Sequence, residues 1–141
     1  MTPVRRTEGP PAGPFSAPDW DLGRVRLQPA GRPLVMGIVN ITPDSFWSGS
    51  RPEGVDAAVE HALALAAAGA DLLDLGAEST RPGAEPVDPV REQERLLPVL
   101  TALRKETELP LTVDTRRAAT AGLALDAGAD AVNDVSGGAD P

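Results

Sequence analysis

The chain has 141 residues, 24% charged and 41% hydrophobic, with a formal net charge of −8: enough for one domain with a real core, in a composition ordinary for a soluble globular protein. The acidic balance speaks against nucleic acid or an anionic membrane surface as partner, since both need a basic face. The absence of cysteine excludes a disulfide scaffold and a thiolate metal site; without a membrane-length apolar run or a signal-peptide core, a cytoplasmic protein is the default.

Residues 1–22 carry Pro3, Pro10, Pro11, Pro14 and Pro18 with few large apolar residues, and read as a disordered Pro/Gly-rich tail that takes in Trp20, unless that ring anchors the bottom face. Residues 23–141 read as the folded part. Val25 and Leu27 alternate with Arg24, Arg26 and Gln28 before a turn at Pro29-Ala30-Gly31-Arg32, a short hairpin signal. Leu34 to Val39 is an apolar run suited to a strand buried on both faces. After a polar loop, Val55, Ala58, Val59, Ala62, Leu63 and Ala66 recur at helical spacing, with Gly69 placed as a left-handed cap. His61 falls in this helix, away from the strand ends, and reads as a surface residue.

Leu72 to Leu75 is the next strand. Asp88 is placed to cap a helix with Pro89 in its first turn. Its apolar face is Val90, Leu97, Leu100 and Leu103, with Leu96 beside it, and Pro98 should bend it. Leu109 to Val113 is a third strand, Arg116 to Asp126 a third helix, and Ala131-Val132 opens a fourth strand. Ala68-Gly69-Ala70-Asp71 and Ala127-Gly128-Ala129-Asp130 form a short internal repeat, each ending a helix and opening a strand, with a structural carboxylate at the solvated bottom. Alternation of this kind means parallel βα units with right-handed crossovers. A doubly wound sheet and a (β/α)₈ barrel both fit. A complete barrel takes ~250 residues, so about four units predict part of one.

Asn40, Asp74, Asp114 and Asn133 each follow an apolar run directly. In a parallel βα fold the strand C-termini share one face, where ligands bind. Any one of the four alone would equally serve as a helix cap. Together they offer acceptors and amide donors suited to a flat polar heterocycle; a pterin, a purine or another polar ring would serve. The loop Gly76 to Ala84 sets Ser79, Thr80 and Arg81 side by side, hydroxyls beside a guanidinium, which suits phosphate oxygens.

Four segments in order, V-M-G-I-V-N-I-T-P-D-S-F, L-D-L-G-A-E-S-T-R-P-G-A, T-V-D-T and V-N-D-V, resemble the successive signatures of dihydropteroate synthases, over about Gly31 to Ser136. The resemblance implies the N-terminal half of a TIM barrel, a partial (β/α)₈ barrel preceded by a short β-hairpin. It implies condensation of 6-hydroxymethyl-7,8-dihydropterin diphosphate with p-aminobenzoate to give 7,8-dihydropteroate and pyrophosphate. Carried over by motif, Asn40 is similar to the magnesium-binding asparagine, with Mg²⁺ as cofactor. Asp114 and Asn133 match pterin ligands, and Asp74 another acidic pocket position. Thr80 and Arg81 match residues that contact the diphosphate. Asp44, Phe46, Ser79 and Pro82 match loop positions closing around p-aminobenzoate.

The resemblance further implies that Arg81 and magnesium stabilise the departing pyrophosphate, that Asp44 lies near the cation-like methylene, and that no side-chain nucleophile is required. It carries the expectation of a homodimer when full length. The first loop departs from the family's F-S-D-G-G ending, reading Phe46-Trp47-Ser48-Gly49-Ser50. The family's further pterin-binding Asp, its Lys and its Arg/His pair lie outside this chain, so the expectation for the fragment alone is a lack of full activity. The rival readings are a pterin-binding domain of a cobalamin-dependent methyltransferase, which needs neither the T-P-D-S-F loop nor S-T-R, and a non-catalytic truncated pterin-binding module.

Overall fold

In the computed structural model, residues 18–29, 31–42, 51–79, 83 and 85–140 are described, residues 51–53 by their backbone alone. Two short antiparallel strands come first, β1 (Trp20–Asp21) and β2 (Arg26–Leu27). Then follow β3 (Met36–Asn40), α1 (Arg51–Ala67), β4 (Leu72–Gly76), α2 (Pro89–Glu106), β5 (Leu111–Asp114), α3 (Ala118–Asp126) and β6 (Ala131–Asn133). The last four strands form one parallel sheet in the order β3-β4-β5-β6. Strand order follows chain order with no reversal, and α1 packs on α2 and α2 on α3. One unbroken helix layer on one side is the arrangement of a barrel wall, whereas a doubly wound sheet reverses at a switch point.

The core lies between sheet and helices. Val39, Ile41, Leu73, Leu75, Leu111 and Val113 face Ala58 and Ala62 of α1 and Leu96, Val99, Leu100 and Leu103 of α2, all without solvent contact. Each such leucine contributes about 1.5–3 kcal/mol of burial. Gly37 is where α1 comes nearest: a Cβ there would lie 3.0 Å from Leu73 Cδ2 and 3.2 Å from the Cβ atoms of Ala70 and Leu65.

Several expectations shift. β3 is not buried on both faces; it alternates, with Gly37 and Val39 buried and Met36 and Ile38 exposed, because helices cover only one side of the sheet. In α2 the buried positions are Leu96, Val99, Leu100 and Leu103, while Val90 is exposed and Leu97 only partly buried. Asp88 caps this helix as expected, accepting from the N–H groups of Val90 (3.0 Å) and Arg91 (3.3 Å). The helix continues through Pro98 to Glu106. α3 starts two residues later than its periodicity indicates, since Arg116 and Arg117 are drawn into ion pairs before the first turn.

The hairpin turns at 22–25, where Leu22 N–H donates to Val25 C=O and Gly23 has φ +80°. It reaches back into the segment read as tail, pairing Trp20 with Leu27. Val25 and Leu27 are buried as their alternation implied. Arg24 fastens the hairpin to the N-terminal end of the sheet, through Asp130 (2.7 and 3.0 Å) and Glu108 (3.2 Å).

The internal repeat is realised bond for bond. Gly69 and Gly128 take φ +112° and +106°, conformations natural to glycine. Asp71 N–H donates to Val35 C=O and its carboxylate accepts from Val35 N–H; Asp130 does the same with Leu111. These carboxylates are structural, as expected, yet not solvated. Asp71 is held by both arms of Arg32 and Asp130 by Arg24 and Arg104, with their side chains 5% and 2% exposed.

Candidate functional site

Parallel register carries the strand ends into a single row. Asn40 pairs with Gly76, Gly76 with Asp114, and Asp114 with Asn133. Neighbouring strands stand ~4.8 Å apart and register partners share a face, so Asn40, Asp114 and Asn133 stand along one rim on the face without helices. Asp74 is not a strand end. It sits one layer down in β4, level with Thr112, and Gly76 takes the fourth place in the row.

That displacement changes what Asp74 can do. Its side chain is buried, and both oxygens are engaged: one accepts from Thr112 Oγ1 (2.5 Å), the other from Asn133 Nδ2 (3.1 Å). A carboxylate only accepts, so the Asn133 amide must turn its nitrogen inward. Its Oδ1 acceptor and remaining N–H are left for other partners.

Asp114 is the contrasting case. Among the described residues its carboxylate receives no hydrogen bond, and opposite it Gly76 leaves open space where a Cβ would come within 3.5 Å of the Asp114 Cβ. Burial pushes its carboxyl above the ordinary value, and the charges of Asp74, Asp134, Glu92 and Glu78 add to this. A half-buried acceptor held beside an oriented amide, with room in front, fits a ligand edge that donates two hydrogen bonds.

Asp134, next to Asn133, is spent on its own loop. It accepts from Ser136 N–H and Oγ and from Gly138 N–H, which lowers its pKa. Asp140 reaches back to accept from Ala118 N–H at the start of α3 (2.7 Å).

Ser79 is exposed in the β4–α2 loop. Asp44, Phe46, Thr80, Arg81 and Pro82 lie outside the described residues, as does Trp47. Among the described residues, no group of three or more His, Cys, Asp or Glu is arranged to hold a metal ion. No helix among them is long and apolar enough to cross a membrane.

A second layer behind the rim carried no sequence signal. Glu92, in the first turn of α2, is 1% exposed and accepts from Thr115 Oγ1 and Thr120 Oγ1, both at 2.8 Å. Arg117 pairs with it at 3.1 Å and with Glu78 at 2.5 Å. Glu78 falls inside the G-A-E-S-T-R-P-G-A segment, two residues past the end of β4, and nothing adjacent in sequence marks it as an ion-pair partner of Arg117.

The model of the family described as pterin binding enzyme matches residues 36–141. The chain belongs to that family. It is 44% identical over 123 residues to a dihydropteroate synthase of Synechocystis sp., covering 87% of this chain and 43% of that protein. With a dihydropteroate synthase of Bacillus subtilis it shares 46% over 104 residues, 74% of this chain and 36% of the relative. Among solved structures, Xanthomonas albilineans dihydropteroate synthase with 4-aminobenzoic acid is similar at TM-score 0.82 and 48% identity, over 89% of this chain and 46% of that one. The same organism's enzyme in complex with 7,8-dihydropteroate matches at TM-score 0.75 and 45% identity, over 88% and 44%. The chain thus spans less than half the length of these relatives, and its fold is a partial (β/α)₈ barrel of their kind, preceded by an antiparallel hairpin.

Proposed function

We propose that the full-length protein bearing this chain condenses 6-hydroxymethyl-7,8-dihydropterin diphosphate with p-aminobenzoate, releasing pyrophosphate and 7,8-dihydropteroate. The observation that carries the proposal is the rim row, with an Asp114 carboxylate that receives no hydrogen bond from the described residues beside an Asn133 amide whose orientation Asp74 fixes. Relatives at 45–48% identity whose solved structures hold 4-aminobenzoic acid and 7,8-dihydropteroate support it.

On this reading Asp114 accepts two hydrogen bonds from the aminopyrimidine edge of the pterin. Asn133 meets the neighbouring edge with its free acceptor and remaining N–H. Asp74 touches no ligand and sets the amide. Thr80 and Arg81 take the diphosphate oxygens, where a guanidinium stabilises charge developing on the leaving group. Asp44 supplies negative charge near the methylene as it becomes cation-like. Phe46, Ser79 and Pro82 close around p-aminobenzoate, whose amine attacks that carbon as the C–O bond to pyrophosphate breaks.

Asn40 offers one hard oxygen at the rim, and magnesium is a cation that takes few protein oxygens and completes its shell with water and substrate phosphates. The donor set fits such a site, with Asn40 as the protein ligand. When bound, the ion would neutralise diphosphate charge. A cytoplasmic homodimer belongs to the same proposal and rests on the motif resemblance.

The test is pyrophosphate release by the full-length protein. Release should require both substrates and fall on chelation. Release that ignores p-aminobenzoate, or none at all with both substrates and magnesium supplied, refutes the proposal, and the latter result leaves a non-catalytic binding module.

A further inference from the structure

We infer that Arg117 is a positioning residue for the β4–α2 loop, tying both its ends to α2 so that the loop can serve a diphosphate group; the inference rests on the function proposed above. One guanidinium grips both ends of that loop. Its Nη1 meets Glu78 Oε2 at the start of the loop (2.5 Å), and its Nη2 donates to Val87 C=O near the end (2.6 Å). Residues 79–86, with Thr80 and Arg81 among them, lie between the two grips.

The clamp has a rigid footing. Nη1 also lies 3.1 Å from the buried Glu92 of α2. Glu92 is held by the hydroxyls of Thr115 and Thr120, and Thr115 Oγ1 accepts from Arg117 N–H at 3.2 Å. Side-chain exposures of 16% for Arg117, 12% for Glu78 and 1% for Glu92 place the group largely out of solvent, where charged hydrogen bonds are strong. Arg116 also reaches Glu78 (2.8 Å), but it is 48% exposed and adds little.

Only arginine suits the position. Three acceptors, two at opposite ends of the loop and one on α2, need a planar fork of donors; a lysine ammonium can restore charge but not the span from Glu78 to Val87. Arg117 also offsets two carboxylates that would otherwise repel an anionic group bound beside them.

The test uses the full-length protein and two ligands that share a ring: the pterin diphosphate and the pterin alcohol without phosphate. In Arg117→Met, affinity for the diphosphate should fall about tenfold or more through misplacement of its contacts. Affinity for the alcohol should stay near wild type. Glu78→Gln, which loosens only the loop-side grip and leaves Glu92 paired, should show the same split; it serves alone should Arg117→Met not fold. Arg117→Lys should recover thermal stability without recovering diphosphate affinity. Parallel losses for both ligands, or a diphosphate preference intact in the folded variants, overturn the positioning role. A wild-type protein that binds the two ligands equally refutes the functional proposal instead.

Discussion

Replacing Asp114 with asparagine in the full-length protein should move stability and pterin affinity in opposite directions. Burial first, and then the neighbouring carboxylates Asp74, Asp134, Glu92 and Glu78, raise the Asp114 pKa in the folded chain. A carboxyl raised on folding binds its proton more tightly in the native state. Its contribution to stability is full below the unfolded pKa and is lost as pH rises through the folded one. At neutral pH the ionised side chain therefore weakens the fold, and the neutral amide removes that penalty at nearly constant volume. The variant should melt above wild type at pH 7, with the margin shrinking as pH falls through the raised native pKa and gone below the ordinary aspartate value of about 4.

Ligand binding should respond with the other sign. A carboxylate accepts both hydrogen bonds of an aminopyrimidine edge, whereas an amide accepts one and turns a donor toward a donor. Losing one bond to a charged acceptor and burying one unpaired donor costs about 3–4 kcal/mol, roughly 100- to 1000-fold in Kd. Thermal unfolding from pH 4 to 8 and calorimetric titration with 6-hydroxymethyl-7,8-dihydropterin read the two effects separately. A variant less stable than wild type at pH 7, or one that binds the pterin almost unchanged, would refute the assignment of Asp114 as an unsatisfied carboxylate kept for a ligand.

Three further substitutions probe the scaffold. Asp130→Ala strips Arg24, Arg104 and Leu111 N–H of their shared acceptor, and urea unfolding should show a loss of about 3 kcal/mol or more. Gly37→Ala puts a Cβ 3.0–3.2 Å from Leu73, Ala70 and Leu65; this overpacking should cost about 1–3 kcal/mol in the same assay, and an unchanged midpoint would mean that α1 can shift away freely. Asp74→Ala leaves the Asn133 amide without its acceptor, at about 1–3 kcal/mol, and leaves the Thr112 hydroxyl only the longer bond to the Leu73 carbonyl at 3.4 Å. It should weaken pterin binding only through Asn133, so adding Asn133→Ala to it should cost less affinity than Asn133→Ala costs alone.

Much of the wall was legible because its signals are local. The helix faces, the Asp88 cap and the two A-G-A-D corners each follow from a few adjacent residues, and the corners recur with the same hydrogen bonds at Asp71 and Asp130. What escaped depends on partners distant in sequence. Nothing near Glu92 announces burial; that needs Arg117 and two threonines some 23–28 residues away. β3 reads as a continuous apolar run, yet it alternates, because whether a face is covered is decided by the neighbouring layer. Proline and glycine are dense at 29–32 and point to a hairpin turn there, while the chain turns at 22–25 on Gly23 with an Asp21 oxygen accepting its N–H. Asp74 reads as a strand end because it follows an apolar pair, but β4 runs on two residues past it.

The two ends of the sheet show why the rim is the working end. Aspartates sit at both. At the N-terminal end Asp71 and Asp130 are saturated: arginine forks on one side, the backbone N–H of the preceding strand on the other. Nothing there is left to offer a ligand, and the charges are neutralised where they stand. At the C-terminal end Asp114 feels four carboxylates, Asp74, Asp134, Glu92 and Glu78, has no bond from the described residues, and has a pKa pushed upward. The fold shows that it can satisfy a buried aspartate, and Arg117 behind the rim shows that a guanidinium is available there for Glu78 and Glu92. An acid left unpaired among such devices is a local cost kept for a partner that arrives from solvent, and an aminopyrimidine edge with two donors is a partner that would cancel it.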